Sequence, residues 1–155
     1  MSSSANNWEW IVIAAYGAVL STYNAWAARK KDRRQVKVTA NLGFLSYGNR
    51  VSETMLNLTA SNPGHRPVTL VSTGFSLPNK QQMVLFTPEG TTQLPCELME
   101  GKHCTHWISA REVADQLRKS GFSGKVKVRG FYRDAVDEKH FSKPFKFDLN
   151  SSYNA

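Results

Sequence analysis

The run Lys125-Val126-Lys127-Val128-Arg129-Gly130-Phe131-Tyr132-Arg133 decides the fold class of most of this chain. Successive side chains of an extended strand point to opposite faces. Val126, Val128, Gly130 and Tyr132 then share one face, and the basic residues share the other. One apolar face and one polar face predict an antiparallel strand whose apolar side lies on a core.

The same alternation recurs along residues 35–150, which we predict to form one domain. Further runs of this kind cover 36–40, 54–60, 67–77, 82–86, 103–108 and 141–149. Turn-forming residues separate them at 62–64, 78–79, 88–90 and 134–138. About seven short strands with turns between them are typical of an antiparallel, immunoglobulin-like β-sandwich. Residues 151–155 are expected to form a C-terminal tail.

One short helix interrupts the predicted strands and is expected to cross between them. Ser109 with Glu112 three residues later has the spacing of a capping box. A stripe at helical spacing follows it, formed by Ala110, Val113, Ala114 and Leu117. Gly121 suits the end of the helix. These signals predict a helix over about 110–120.

The N-terminal part of the chain has the composition of a membrane-spanning helix. Residues 10–28 are 19 positions without a charged side chain, within the ~17–25 that a membrane helix needs. Trp8 and Trp10 stand at one end, and Tyr23 and Trp26 at the other. Aromatic rings of this kind prefer the two membrane interfaces. We therefore predict a transmembrane helix over 8–28 after a short tail at 1–7.

Basic residues directly after this segment predict its orientation. The flank at 29–34 contains five of them: Arg29, Lys30, Lys31, Arg33 and Arg34. The positive-inside rule places such a flank in the cytoplasm. The prediction is a single-pass protein of the bacterial inner membrane, with the N-terminus outside and the main domain in the cytoplasm.

Two other placements of the segment remain open from the sequence. It could be a soluble helix docked on the domain, or a helix lying in the membrane interface. Small residues at i, i+4 spacing, Ala14, Ala18 and Thr22, also suit a helix–helix contact and a homo-oligomer.

Charge suggests an anionic partner surface. The 155 residues carry a formal net charge of +8. A basic stripe is predicted along one strand face and just upstream of it, formed by Arg118, Lys119, Lys125, Lys127, Arg129 and Arg133. Anionic lipid headgroups and nucleic acid are the two partner classes for such a stripe. Nucleic acid is disfavoured because no recognisable binding motif accompanies the stripe, and a solvated sheet face explains it as well.

The cluster Cys96, His103, Cys104 and His106 contains metal-ligand chemistry in a poor arrangement. Its spacing matches no familiar zinc pattern. In a strand over 103–108, His103 points away from Cys104 and His106. Reduced cysteines and no cofactor are therefore expected. An exported domain would favour a Cys96–Cys104 disulfide instead, and a small metal-dependent enzyme using Cys96, Cys104 and His106 is the least favoured alternative.

Catalytic signatures are missing from the sequence. There is no Gly-x-Ser-x-Gly elbow, no His-Glu-x-x-His motif and no Gly-rich phosphate loop. The acids Asp134, Asp137 and Glu138 fall in a predicted hairpin turn, where solvated carboxylates are expected. The sequence therefore favours a protein without catalytic activity.

The chain resembles a group of uncharacterised bacterial or phage proteins with a membrane anchor and a small immunoglobulin-like domain. The resemblance rests on the N-terminal helix, on Ser61-Asn62-Pro63-Gly64-His65-Arg66-Pro67-Val68-Thr69-Leu70, and on Phe131-Tyr132-Arg133-Asp134. It implies a fold and a placement, but no catalytic residue. His65 and Arg66 fall in a loop, where contact residues are common. The expected function is a membrane-tethered cytosolic protein-interaction or sensing module with an unidentified protein partner.

Overall fold

The computed structural model describes residues 7–85 and 89–151, which divide into two compact units at Arg33 and Arg34. The first unit contains helix α1 (Asn7–Lys31). The second contains α2 (Ala110–Lys119) and ten described strands. These are β1 (Lys37–Tyr47), β2 (Arg50–Ser61), β3 (Val68–Ser76), β4 (Gln82–Leu85), β5 (Glu89–Gly90), β6 (Cys96–Leu98), β7 (His103–Ser109), β8 (Lys125–Asp134), β9 (Lys139–Phe141) and β10 (Phe145–Asp148).

Helix α1 is long and apolar enough to span a membrane. The candidate span covers Trp8–Lys30, 23 residues with a mean hydropathy of 1.3. At 1.5 Å per residue it is about 35 Å long, against a hydrocarbon core of about 30 Å. Its apolar side chains are distributed around the helix and not along one face. The helix continues through the first basic residues, so it extends past the predicted end at residue 28.

The strands form two antiparallel sheets. The first has the order β1-β2-β7-β5. The second has the order β10-β8-β3-β4, with β6 also paired to β3 and β9 to β8. Every strand pair is antiparallel, which confirms the mainly β, antiparallel prediction.

The two sheets share one hydrophobic core. Leu56, Leu58 and Ala60 are fully buried on β2, and Val128 and Tyr132 are fully buried on β8. A Cβ at residue 130 of β8 would collide with the Leu58 side chain of β2, which would have to move. Residue 130 therefore faces the other sheet, and the predicted inward face of the 125–133 strand is confirmed.

Helix α2 begins and ends nearly where predicted, but its predicted cap is wrong. The Ser109 side chain makes no capping hydrogen bond. Ser109 is the last residue of β7 and pairs with Met55, so the sheet fixes the direction of its side chain. The end is as expected: Gly121 has φ +84°, and its N–H donates to Arg118 O at 2.9 Å.

Three strand predictions need correction. Residues 88–90 were expected to form a break, but Glu89–Gly90 is strand β5 and pairs with β7; residue 88 lies outside the described residues. Strand β6 was missed because it is only three residues long. Alternation along the predicted 141–149 run would place Phe141 on the same face as the buried Phe147, yet Phe141 is 39% exposed because β9 pairs it with Phe131 on the outer face of β8.

Candidate functional site

A cleft of about 740 Å³ opens beside α2, where the ends of several strands meet. Its acidic lining includes Glu53, Glu89 and Glu112, and none of the described lining residues is a lysine, arginine or histidine. The remaining lining is mostly apolar: Leu45, Ser52, Met55, Met83, Val84, Leu85, Trp107, Ile108, Ser109 and Gln116. We call this surface the acidic cleft.

Strand pairing brings the lining of the acidic cleft together. Met55 on β2 is the register partner of Ser109 on β7. Glu89 on β5 is the partner of Trp107 on β7, and the Trp107 indole N–H donates to Glu89 Oε2 at 3.0 Å. That hydrogen bond holds one carboxylate against an indole ring at the cleft.

Two carboxylates and one hydroxyl of the acidic cleft are unpaired. Within residues 7–85 and 89–151, the carboxylates of Glu53 and Glu112 have no ion-pair or hydrogen-bond partner. Ser109 is 7% exposed, and its Oγ has no hydrogen-bond partner among the same residues. A buried hydroxyl without a partner is costly, and Ser109 is one of the residues that line the acidic cleft.

Sequence reasoning missed the acidic cleft because no local motif marks it. Its residues come from β1, β2, β4, β5, β7 and α2, which are far apart along the chain. In the sequence, Glu112 stands out only through its capping-box spacing from Ser109. The one usable signal is that Ser109 lies between a strand and a helix.

Two of the four Cys and His residues weighed in the sequence as weak metal-ligand candidates belong to a buried polar cluster. Cys104 and His106 point into the core from β7, and His103 is exposed on the other face, as the alternation predicted. His106 Nε2–H donates to Thr92 O at 2.8 Å, and Nδ1 lies 2.8 Å from Tyr132 Oη. Both ring nitrogens are therefore occupied within the protein.

The cysteines of this cluster are neighbours and are free thiols. Burial and the nearby Cys96 raise the pKa of the Cys104 thiol to about 12. Burial also raises the pKa of Tyr132 and lowers that of His106. All three groups are favoured in their neutral forms, which suits a packed core better than a nucleophile.

The basic stripe lies on the exposed side of β8, as predicted. Lys125, Lys127, Arg129 and Arg133 are exposed, and we call them the basic face. Arg129 lies 5.0 Å from the centre of the Phe141 ring, and Arg133 pairs with Asp137 at 3.3 Å. The two arginines are therefore partly engaged within the domain.

A neighbouring strand places a further lysine beside the basic face. Lys127 is the register partner of Lys146 on β10, so two exposed lysines are directly opposite each other on the outer face. Lys119 on α2 is exposed as well. Arg118 has structural contacts instead: its guanidinium donates to Leu149 O at 2.6 Å and pairs with Asp115 at 3.0 Å.

The loop with His65 and Arg66 is organised by Asn62. The buried Asn62 amide donates to Arg66 O and to Leu98 O, each at 2.8 Å, and its Oδ1 accepts from Gly64 N at 2.9 Å. The exposed His65 pairs with Glu100 at 2.7 Å. These bonds give the motif a structural role that ties two loops together.

The acidic hairpin also has a structural explanation. Asp134, Glu138 and His140 are the described residues that cluster with metal-ligand geometry. Asp134 Oδ1, however, accepts from the N–H groups of Val136 and Glu138, and Oδ2 lies 3.2 Å from His140 Nε2. Burial opposes ionisation of Asp134, but these bonds outweigh it and lower its pKa. The carboxylate caps the β8–β9 turn.

Two of the four aromatic residues predicted to anchor α1 form a cluster at its basic end. Tyr23 and Trp26 have ring centres 6.3 Å apart, and Lys30 Nζ lies 5.3 Å from the Trp26 ring. The remaining predicted anchor residues in this helix are Trp8, Trp10 and Arg29, which are exposed, and Lys31, its last residue. Arg33 and Arg34 follow the helix and are exposed.

Comparison with known proteins gives distant structural likeness only. No protein-family model matches the chain, and no curated protein matches it. The crystal structure of a protein from Bordetella pertussis provisionally named ApaA aligns with a TM-score of 0.40 and 9% identity, covering 78% of this chain and 98% of that one. An X-ray structure from the Northeast Structural Genomics Consortium aligns with a TM-score of 0.35 and 12% identity, covering 79% and 91%. Likeness at this level assigns no function.

Proposed function

We propose that this chain is a membrane-anchored protein-interaction module whose binding surface is the acidic cleft. The observation that carries the proposal is a cleft lined by apolar side chains and by two carboxylates without a partner among the described residues. Concave surfaces that combine apolar side chains with a few polar groups are the usual form of binding sites. The domain around it is a β-sandwich of the immunoglobulin-like kind, a scaffold on which loops and strand ends carry binding residues.

Helix α1 is the membrane anchor in this proposal. An interfacial helix needs a polar face opposite an apolar one, whereas the apolar side chains of α1 lie on all sides. The Thr22 hydroxyl donates to Ala18 O at 2.8 Å, which satisfies this polar group within the helix. Tyr23, Trp26 and Lys30 suit the interface at the basic end, and that end faces the cytoplasm.

The placement is tested with the full chain carrying a C-terminal tag in a bacterial host. We expect it to stay with membranes after alkaline carbonate washing. Protease added to spheroplasts should leave the tag intact until the membrane is opened. Release by carbonate would contradict the anchor, and digestion in intact spheroplasts would contradict the cytoplasmic placement.

The binding surface is tested in the same cells by photo-crosslinking. A photoreactive amino acid replaces Gln116, an exposed lining residue of the acidic cleft. The matched control is Arg111, which is exposed on α2 and does not line the cleft. We expect a discrete cross-linked product from position 116 only. Equal labelling from both positions, or none from 116, would contradict the acidic cleft as the binding surface.

A second candidate function is contact of the basic face with anionic lipid, and it rests on the Lys127–Lys146 pair. Like charges directly opposite on a sheet are destabilising, and an anionic surface relieves that repulsion. Each basic residue near such a surface contributes about 1 kcal/mol. Acetylation of the full chain in liposomes should slow at Lys127 when phosphatidylglycerol is added to phosphatidylcholine, while exposed Lys102 stays unchanged. Equal rates at Lys127 in both liposomes would remove the lipid role.

A further inference from the structure

We infer that the acidic cleft binds an extended segment of a partner protein in which lysine or arginine alternates with apolar residues. This inference deepens the proposed function and rests on it. Three features of the acidic cleft indicate the chemistry of this ligand: its charge, its apolar lining and an open strand edge.

The first feature that favours a cationic ligand is the charge of the cleft. The whole chain carries +8, so its surface as a whole repels cations. The acidic cleft has the opposite charge, because three glutamates line it and no basic residue is among its described lining residues. Two of them, Glu53 and Glu112, have no partner within the described ranges. A cationic ligand would neutralise them, while an anionic ligand would meet uncompensated carboxylates.

The second feature is the apolar part of the cleft lining. Met55 and Leu85 are buried, Met83 and Ile108 are half-buried, and Val84 remains 39% exposed. A small hydrated cation would leave this apolar surface in contact with water. A ligand with both charged and apolar groups covers it, and burial of apolar area is favourable. Methionine side chains also adapt to ligands of varied shape.

The third feature is the unpaired edge of strand β4. Strand β4 pairs with β3 on one side, and no described strand pairs with its other side. An unpaired edge offers backbone N–H and C=O groups to an added strand. Met83, Val84 and Leu85 of this strand line the acidic cleft. An extended segment lying along β4 would alternate its side chains between two faces, so one set reaches the glutamates.

The experiment uses the full chain in phosphatidylcholine nanodiscs, with ¹³C-methyl methionine as the reporter. Met55 and Met83 line the acidic cleft, whereas exposed Met99 does not. Three acetylated, amidated hexapeptides are titrated: alternating lysine and valine, alternating glutamate and valine, and alternating lysine and serine. Spermidine serves as a cation without apolar groups.

We expect the lysine–valine peptide to shift the Met55 and Met83 methyl signals and to leave Met99 unchanged. The Glu53→Gln and Glu112→Gln variants should each weaken its binding about two- to fivefold, as exposed ion pairs do. Glu97→Gln is the matched control, because Glu97 is exposed on β6 outside the cleft.

Equal or tighter binding of the glutamate–valine peptide would overturn the inferred ligand and leave the binding surface intact. Equal shifts by spermidine or by the lysine–serine peptide would overturn the apolar part of the inference. If no peptide shifts Met55 or Met83, the inference fails, and the cross-linking from position 116 separately decides the proposed function. Binding that is unaffected by both glutamate variants would also contradict it.

Discussion

His106 Nδ1 lies 2.8 Å from Tyr132 Oη, and this contact joins β7 in one sheet to β8 in the other. Tyr132 Oη also lies 2.8 Å from Leu58 O, to which it donates. His106 Nε2–H donates to Thr92 O. In neutral His106 the unprotonated Nδ1 and Leu58 O are both acceptors for the single hydroxyl proton of Tyr132. The polar link between the two sheets therefore has two acceptors, His106 Nδ1 and Leu58 O, but only one hydroxyl proton to share between them.

Removing the Tyr132 hydroxyl tests the strength of this link. Tyr132→Phe leaves Leu58 O without its side-chain donor and His106 without a partner at Nδ1. A buried group left unsatisfied costs about 1–3 kcal/mol, so the free energy of unfolding should fall by about that amount in denaturant titrations of the full chain in detergent. Tyr23→Phe on the exposed side of α1 is the control and should change it little. An unchanged midpoint for Tyr132→Phe would contradict the link.

Much of this arrangement could be predicted from the sequence, because strand alternation alone places Cys104 and His106 on the inward face and His103 outside. Alternation could not predict that His106 meets Tyr132, since the two residues lie in different sheets. It also failed at Ser109, where the register of β7 overrode the capping spacing. The acidic cleft depends on how the ends of distant elements meet, and no short window of sequence contains that information.

Acid should destabilise the domain through His106. Burial lowers its pKa below the ordinary value of 6.5, so the folded state binds fewer protons than the unfolded state. The free energy of unfolding then rises with pH in this window. The stabilisation is complete above pH 6.5 and is lost as the pH falls toward the folded-state pKa.

Thermal unfolding between pH 7.5 and 5.0 measures this dependence. We expect the melting temperature to fall on acidification, and His106→Gln to flatten the slope between about pH 6.5 and 5. His103→Gln is the matched control because His103 is exposed in the same strand. A slope that persists in His106→Gln would assign the effect to another group. Asp134, whose pKa is also lowered, adds a further loss only as the pH falls below its ordinary value of 3.8.

Asn62 should be among the most sensitive polar positions of the domain. Its fully buried side chain makes three hydrogen bonds, to Arg66 O, Leu98 O and Gly64 N. Asn62→Ala removes both donors and the acceptor, and we expect a loss of about 2–4 kcal/mol in the free energy of unfolding. Asn79→Ala is the comparison, because the Asn79 side chain makes one exposed turn bond to Gln81 N. Similar losses at the two positions would contradict a tie between the loops around Asn62.

Reversing one charge of the basic face should stabilise the protein while weakening its contact with anionic lipid. Lys127 and Lys146 are directly opposite on β8 and β10, so Lys127→Glu replaces a like-charge pair with an ion pair. Cross-strand pairs of this kind contribute about 0.2–1 kcal/mol, and the gain should shrink with added salt because the pair is exposed. Denaturant unfolding of the full chain at low and high salt measures it. Lys102→Glu is the matched control, since exposed Lys102 lies outside the strands and has no basic residue as a register partner. Undiminished protection of Lys146 from acetylation in phosphatidylglycerol liposomes would contradict a lipid contact that depends on both lysines.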